Sequence, residues 1–189
     1  SSLDHNQPFI EGVPARPSQA NYYPDDITKE QFNAWAESLP EAEKKKATGY
    51  FHTIRRGADG KMKTVPYNEE YRDLLESAAR LLHEAANLTT NKSLKTFLTK
   101  RAEAFLSNDY YESDISWMAL DSPIEPTIGP YEVYMDELFN YKAAFEAFIT
   151  LRNDAETKKL ATFSQHLQDI ENNLPIDPKY RNPQLGASA

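Results

Sequence analysis

A long amphipathic run at residues 68–88, NEEYRDLLESAARLLHEAANL, constrains the fold more than any other part of the sequence. Its apolar residues recur every three or four positions, which is the spacing of one face of an α-helix. Asn68 is predicted to cap this helix, and Glu69 and Glu70 complement the positive end of its dipole. The predicted packing face consists of Tyr71, Leu74, Leu75, Ala78, Leu81, Leu82 and Ala85. We therefore expect a helix that packs along its whole length.

A second helix is predicted at residues 91–107, after the short break TTN. Its apolar face consists of Leu94, Phe97, Leu98, Ala102 and Phe105. Two helices joined by so short a connection favour an antiparallel helical hairpin.

Shorter elements are predicted before this hairpin and directly after it. TKEQ is a capping box, in which the Thr28 hydroxyl accepts from a backbone amide and Gln31 reaches back. Residues 51–65 are predicted as two short extended segments around the turn ADG, and residues 109–121 as a short helix or turn. This part of the chain is therefore expected to be mainly helical.

The sequence pattern changes after Pro123. TIGPYEVY and KAAFEAFITL alternate with period two and carry β-branched and aromatic residues, which predicts two strands. Residues 153–175 then form an amphipathic helical pattern that ends at Pro175. The expected fold is α+β and predominantly helical, with a few strands that belong to a larger sheet. Its predicted parts are an extended segment at 1–26, a helical region at 27–122, a strand-strand-helix region at 123–175 and a truncated C-terminal segment at 176–189.

Charge and composition exclude several classes of protein. The net charge of -8 and the pI of about 5.1 argue against nucleic acid as the main partner, because phosphate binding needs a basic surface. No apolar run approaches the ~18 residues that span a bilayer, and no signal-peptide pattern opens the chain. The absence of cysteine excludes thiolate metal sites and cysteine nucleophiles. The compartment stays open between the cytoplasm and a processed periplasmic or exported location.

Two short motifs look like parts of a zinc site. HEAAN starts like an HExxH motif at His83, but Asn87 stands where the second histidine should be. EEYRD at 69–73 places two acids at a helix N-terminus, where the helix dipole explains them without a metal. The histidines lie far apart in sequence, at His5, His52, His83 and His166. We therefore predict no metal ligand and no catalytic residue in this chain.

The segment PIEPTIGPYEVYMDELF at residues 123–139 concentrates carboxylates, tyrosines and prolines. Glu125 and Glu132 lie an odd number of positions apart and would face opposite sides of an unbroken strand, although Pro126 and Pro130 disfavour such a strand. Unpaired carboxylates in a cleft suit recognition of an ammonium group. The same composition also fits an acidic edge strand with salt bridges to nearby lysines, and both interpretations remain open.

Four segments carry a resemblance to a known family. They are DISWMALDSPIEPTIGPYEVYMDELFNYKAAFEAFITL at 114–151, ANYYPDDITKEQFNAW at 20–35, IRRGADGKMKTVPYNEEYRDLL at 54–75 and AFLSNDYYESD at 104–114. These segments resemble the dipeptidyl peptidase III family of zinc metallopeptidases, particularly its bacterial branch and the plant versions fused to a Nudix domain. The resemblance runs over most of the chain and is most specific around residues 125–148.

The resemblance implies a two-lobed enzyme, with one lobe mostly helical and holding zinc and the other containing a β-barrel. Peptides would bind in the cleft between the lobes, and dipeptides would be released from the N-terminus of short peptides. The family holds zinc with an HExxGH motif and a downstream EExRAD-like helix, and neither is present in this sequence. HEAAN and EEYRD occur in the reverse order within one predicted helix, so neither is interpreted as a zinc motif.

The family's cleft segment, E-x-Y-I-G-x-x-E, matches EPTIGPYE at residues 125–132. By this resemblance Glu125 corresponds to the acid that binds the substrate's free amino group, and Glu132 to the second acid. Thr127 stands where the family has a tyrosine that helps to stabilise the transition state. Because a threonine hydroxyl is shorter and far less acidic than a phenol, either Tyr131 substitutes for that tyrosine or the specificity differs. The predicted substrate-binding residues are therefore Glu125, Thr127, Tyr131 and Glu132.

The resulting hypothesis is the N-terminal portion of a dipeptidyl peptidase III-like zinc hydrolase, with its zinc ligands beyond Ala189. Its partners would be a short peptide substrate and the remainder of its own polypeptide, and the isolated chain should not hydrolyse peptides without the metal. One alternative is a non-catalytic peptide- or amine-binding module with an acidic cleft. Another is a regulatory or scaffold protein with partner surfaces on residues 68–88 and 153–175, although both apolar faces are more simply explained as core.

Overall fold

Helices and two antiparallel β-hairpins make up the computed structural model, which describes residues 10–13, 18–136 and 138–185. The helices are α1 (Lys29–Glu37), α2 (Glu41–Ala47), α3 (Tyr67–Glu70), α4 (Arg72–Leu88), α5 (Lys92–Ser107), α6 (Tyr111–Met118), α7 (Asp154–Ser164) and α8 (Leu167–Asn172). The strands are β1 (His52–Arg56), β2 (Met62–Pro66), β3 (Ile124–Glu132) and β4 (Ala144–Leu151). Single 3-10 turns lie at Ser18–Asn21 and Pro178–Tyr180. The predicted α+β fold is confirmed.

The predicted helical hairpin is formed by α4 and α5, whose facing side chains make one of the two hydrophobic cores. All five predicted apolar positions of α5 are buried there. The buried stripe of α4 is narrower than predicted and consists of Leu75, Ala79, Leu82 and Ala86. Leu74 and Leu81 are 72% and 54% exposed, because contact with one neighbouring helix covers only part of an apolar face.

The start of the first long helix differs from the prediction. Asn68 does not cap it but lies inside the short helix α3, where its side-chain amide donates to the Leu106 carbonyl at 2.9 Å. The helical path breaks at Tyr71, which separates α3 from α4. The neighbouring Tyr67 is fully buried, and its hydroxyl donates to the Ala143 carbonyl at 2.9 Å. Tertiary contacts of α3 therefore decide where the helix begins.

The second core is aromatic and joins the N-terminal part of the chain to the first β-hairpin. Tyr22, Tyr23 and Phe32 are buried in it together with Tyr67. The strand β1 reaches this region through the Ile54 amide, which donates to the Tyr22 carbonyl at 2.8 Å. The predicted capping box at the start of α1 is confirmed, since both of its hydrogen bonds are present.

The amphipathic pattern at residues 153–175 forms two short helices, α7 and α8, rather than the single predicted helix. Its apolar residues Leu160, Phe163, Leu167 and Ile170 form an exposed face. This face therefore does not contribute to either core of the described chain. Among the helices of the described residues, none combines the length and the apolar character needed to cross a membrane.

Candidate functional site

The strand β3 carries the four predicted substrate-binding residues and pairs with β4. Both of its prolines, Pro126 and Pro130, are buried. Proline has no backbone N–H group, so a strand tolerates it on an edge that makes no backbone hydrogen bonds to a neighbouring strand. β3 pairs only with β4 among the described residues, which gives both prolines such an edge. The prolines therefore do not interrupt the strand.

A β-bulge in β3 decides which way its carboxylates face. Glu125 pairs with Thr150 and Glu132 with Ala144, while the register shifts between Pro130 and Glu132, which leaves Tyr131 as an extra residue. Paired residues share a face of the sheet, and the β4 partners lie an even number of positions apart. Glu125 and Glu132 therefore lie on the same face. Opposite faces were expected only for a strand without interruption. The bulge interrupts the alternation, so that expectation does not apply to this strand.

Glu146 joins the two predicted acids on this face, because it pairs with Gly129 on the same side of β4. Partial burial raises the pKa of Glu146 above its ordinary range, and the hydrogen bond and negative charge of the Glu132 carboxylate raise it further. Tyr134 also hydrogen-bonds to Glu132, and this bond raises the pKa of the Tyr134 hydroxyl. Two carboxylates in contact favour a shared proton or a bound cation between them.

Thr127 lies on the same face as Glu125 and pairs with Phe148 of β4. Its side chain is half-buried, and Phe148 beside it is exposed. The exposed face of the hairpin therefore combines carboxylates, a threonine hydroxyl and an aromatic ring. Such a surface can contact an ammonium group and an adjacent apolar side chain.

Tyr131 points away from this face and into the contact between the hairpin and the helices α5 and α6. Its hydroxyl donates to Asp114 Oδ1 at 2.9 Å and accepts from Arg101 Nη2. Burial raises the pKa of the Tyr131 hydroxyl well above its ordinary range, although the positive charge of Arg101 opposes this. Tyr131, which was one of two alternatives for the role of the family tyrosine, therefore makes its hydrogen bonds on the other side of the strand.

A pocket of about 240 Å³ lies beside the bulge. Its walls are mostly aromatic and its polar groups come from the same helix contact: Tyr50, Phe51, Tyr110, Asp114, Pro130, Tyr131 and Val133. Ligand pockets usually measure ~300–1,000 Å³, so this one suits a side chain or a small polar group rather than a peptide. A second pocket, of about 480 Å³, is lined partly by Arg55 and Glu70, which pair with each other at 2.5 Å, and by none of the predicted site residues.

No group of three or more His, Asp or Glu side chains is placed to hold a metal ion within residues 10–13, 18–136 and 138–185. His83 lies on α4 without a second histidine one turn away, and Glu70 of EEYRD is paired with Arg55. The described residues therefore do not fit the zinc site that the resemblance implies.

Comparison with known proteins adds the family. The sequence model of Peptidase family M49 matches residues 3–187. Dipeptidyl-peptidase III from Corallococcus sp. strain EGB is 61% identical with a TM-score of 0.77, and the enzyme from Caldithrix abyssi is 52% identical with a TM-score of 0.82. Each match covers 96% of this chain but 34% of the other.

A curated plant protein, Nudix hydrolase 3 of Arabidopsis thaliana, is 41% identical over an alignment of 193 residues, which covers 92% of this chain and 25% of that protein. The chain thus spans about a quarter of this relative and about a third of the solved structures. The predicted family resemblance is confirmed, and the chain belongs to Peptidase family M49.

Proposed function

We propose that the exposed face of β3 and β4 forms one wall of a peptide-binding cleft in a zinc-dependent dipeptidyl peptidase III-like enzyme. The observation that carries this proposal is the bulge at Tyr131, which brings Glu125 and Glu132 onto one face. Membership in a peptidase family and the similarity to two dipeptidyl-peptidase III structures support it. The zinc would be held by residues outside the described part of the chain.

Within this proposal, Glu125 binds the free amino group of the peptide and Glu132 acts as the second acid. A carboxylate accepts up to four hydrogen bonds and attracts an ammonium group by charge. Glu146, next to Glu132, adds negative charge to the same surface. Thr127 and Phe148 would then contact the backbone or side chain that follows the amino group.

The rest of the same polypeptide is the proposed partner of the apolar surfaces that this chain leaves exposed. Leu74, Leu81 and Leu88 follow one another at seven-residue spacing along α4 and are 54–85% exposed. Surfaces of this kind are usually covered by another element. Relatives of three to four times this length support such a covering.

The four-part division of the chain at residues 26, 122 and 175 remains a proposal as well.

The test is a substitution of Glu125 in the full-length polypeptide. Glu125→Gln keeps the size of the side chain but removes its charge, and a charged hydrogen bond contributes about 1.5–3 kcal/mol. We expect the KM for a short peptide with a free N-terminus to rise roughly 10- to 100-fold, with a smaller change in kcat.

Two controls make this result specific. Glu103→Gln removes an exposed carboxylate from α5 and should leave KM unchanged. An N-acetylated peptide should bind the native protein and the Glu125→Gln variant equally weakly, because it has no ammonium group. An unchanged KM for the free peptide would contradict the role of Glu125. Binding of free-amine peptides by a full-length protein that never hydrolyses them would favour the non-catalytic binding module.

A further inference from the structure

Arg101 is a charged side chain that lies entirely inside the protein. It is 0% exposed, and its Cζ atom lies 5.3–5.4 Å from the ring centres of Phe97, Tyr110 and Tyr131. A buried charge is costly unless it is paired and hydrogen-bonded. Its Nη2 donates to Asp114 Oδ1 at 2.6 Å and to the Tyr131 hydroxyl. The Nε and Nη1 atoms make no hydrogen bond within the described residues.

The polar contacts of this guanidinium therefore converge on the bulge. Tyr131 is the extra residue of β3, and its hydroxyl closes a triangle with Arg101 Nη2 and Asp114 Oδ1. Asp114 comes from α6 and Arg101 from α5, so the triangle ties the bulge to two helices. One side chain from each of three elements then fixes a single point of the strand.

Gly129 allows the strand to come this close to Arg101. It has a positive φ of 154°, and a Cβ atom at this position would lie 2.8 Å from Arg101 Nη1 and 3.0 Å from Tyr131 Cε2. Any larger residue would force the strand, the guanidinium or the Tyr131 ring to shift, and the positive φ would strain its backbone. Gly129, two positions before the bulge, and Tyr131, the bulged residue, thus both lie against the same arginine.

The direction of Glu132 depends on this arrangement. A one-residue slip in the register of a strand moves its side chains to the other face of the sheet. The extra residue at Tyr131 is what returns Glu132 to the face of Glu125 and Glu146. We infer that Arg101, through Tyr131 and Asp114, is a positioning residue that locks the bulge and so holds Glu132 on the exposed acidic face. The effect on substrate rests on the proposed function, whereas the effect on the strand does not.

The first experiment tests the geometry of the strand without measuring activity. In Tyr131→Phe the ring is kept but the hydrogen bonds to Arg101 and Asp114 are lost. If the bulge relaxes, Glu132 moves away from Glu146, and the Glu146 pKa, followed by NMR titration of the full-length polypeptide, falls toward that of an ordinary glutamate. Tyr111→Phe removes an exposed hydroxyl from α6 and should leave this titration unchanged. A Glu146 titration that is the same in Tyr131→Phe and native protein would overturn the inference.

The second experiment separates positioning from a general loss of structure. Glu132→Gln is introduced into the native protein and into Tyr131→Phe, and KM and kcat are measured for a free-amine peptide. We expect Glu132→Gln to raise KM several-fold in the native background and to have little further effect in Tyr131→Phe, because Glu132 has already left the face. Equal, additive effects in both backgrounds would overturn the inference.

The two experiments also distinguish this inference from the proposed function. If Glu132→Gln changes no kinetic constant in either background while the Glu146 titration still shifts in Tyr131→Phe, the proposed function fails and the positioning role stands. Arg101→Lys provides a further variant, since lysine keeps the charge but cannot reach both Tyr131 and Asp114 with one planar group. It should shift the Glu146 titration in the same direction as Tyr131→Phe.

Discussion

Two regions of the molecule bury charged side chains: the loop that joins β3 to β4, and the contact between the bulge and α5. They differ in how many hydrogen bonds each buried charge receives. In the loop, the buried Asp136 carboxylate accepts from five backbone amides, at Leu138, Phe139, Asn140, Tyr141 and Lys142. It also accepts from the Tyr23 hydroxyl at 2.9 Å. At the contact between the bulge and α5, Arg101 donates hydrogen bonds to one carboxylate and one phenol. Two of its nitrogens have no hydrogen bond within the described residues.

The difference indicates what each cluster does. A fully satisfied buried group is a rigid and strongly stabilising part of a fold, whereas a partly satisfied one stabilises it less. Burial alone would raise the pKa of Asp136, but its backbone hydrogen bonds lower the pKa below the ordinary range. We therefore expect Asp136 to contribute mainly to the stability of the hairpin, and Arg101 mainly to its geometry.

The largest effect is expected when the satisfied cluster is broken. Asp136→Ala leaves five amides and the Tyr23 hydroxyl without their acceptor, and should lower the free energy of unfolding by about 4 kcal/mol. Chemical denaturation of the full-length polypeptide measures this loss. Asp121→Ala, at an exposed position, serves as the control and should change stability little. A loss below that of Arg101→Met would reverse the comparison.

A smaller loss of stability is expected at Arg101. Arg101→Met removes a buried charge that is only partly paired and fills the space with an apolar chain, while Asp114 keeps access to solvent with a 45% exposed side chain. We expect the free energy of unfolding to fall by about 2 kcal/mol, because lost packing and pairing exceed the relief of desolvation. The same denaturation experiment tests it, with Arg80→Met as an exposed control. A loss as large as that of Asp136→Ala would show that both clusters are equally structural.

The smallest effect, counted per pH unit, is a dependence of stability on pH at Lys142, the other buried charge of the loop. Its Nζ donates to the Ala47 and Gly49 carbonyls at 2.6 and 2.9 Å, and burial lowers its pKa from an ordinary 10.5 to about 7, against the attraction of Asp136. Between pH 7 and 9 the unfolded chain therefore binds a proton at Lys142 that the folded chain does not. The free energy of unfolding should rise by about 1 kcal/mol per pH unit across this range.

Denaturation curves at pH 7, 8 and 9 check this slope. Lys142→Met has no group to titrate and should flatten the curve, while Lys158→Met, at an exposed position of α7, should keep it. A free energy that stays level from pH 7 to 9 in the native protein would mean that Lys142 is charged when buried.

Sequence patterns correctly predicted the features that depend on residues close together in the sequence. The apolar face of α5 and the capping box at Thr28 depend on neighbours three to seven positions away, and both are confirmed. The break at Tyr71 and the division of residues 153–175 into α7 and α8 were missed. Long-range contacts leave no pattern in the local sequence. Tyr67, for example, lies beside the break and hydrogen-bonds to Ala143, far along the chain.

Three residues of the candidate site were missed: Arg101, Asp114 and Glu146. A signal for Arg101 existed, because it lies four positions after Phe97 and three after Leu98 on the predicted apolar face of α5. A charged residue on a buried face needs a partner, and that alone points to a buried ion pair. Asp114 and Glu146 carry no such signal, since their positions are typical of exposed acids.

The sequence by itself determined the family, the α+β class, the helical hairpin and the segment that carries the candidate site. Helical periodicity and capping are local, and a motif such as EPTIGPYE is read without knowing its surroundings. Only the tertiary structure decided that Glu132 faces the same way as Glu125, and that Tyr131 faces the helices instead. One extra residue in a strand reverses every side chain after it, and a guanidinium thirty positions earlier in the chain hydrogen-bonds to that residue.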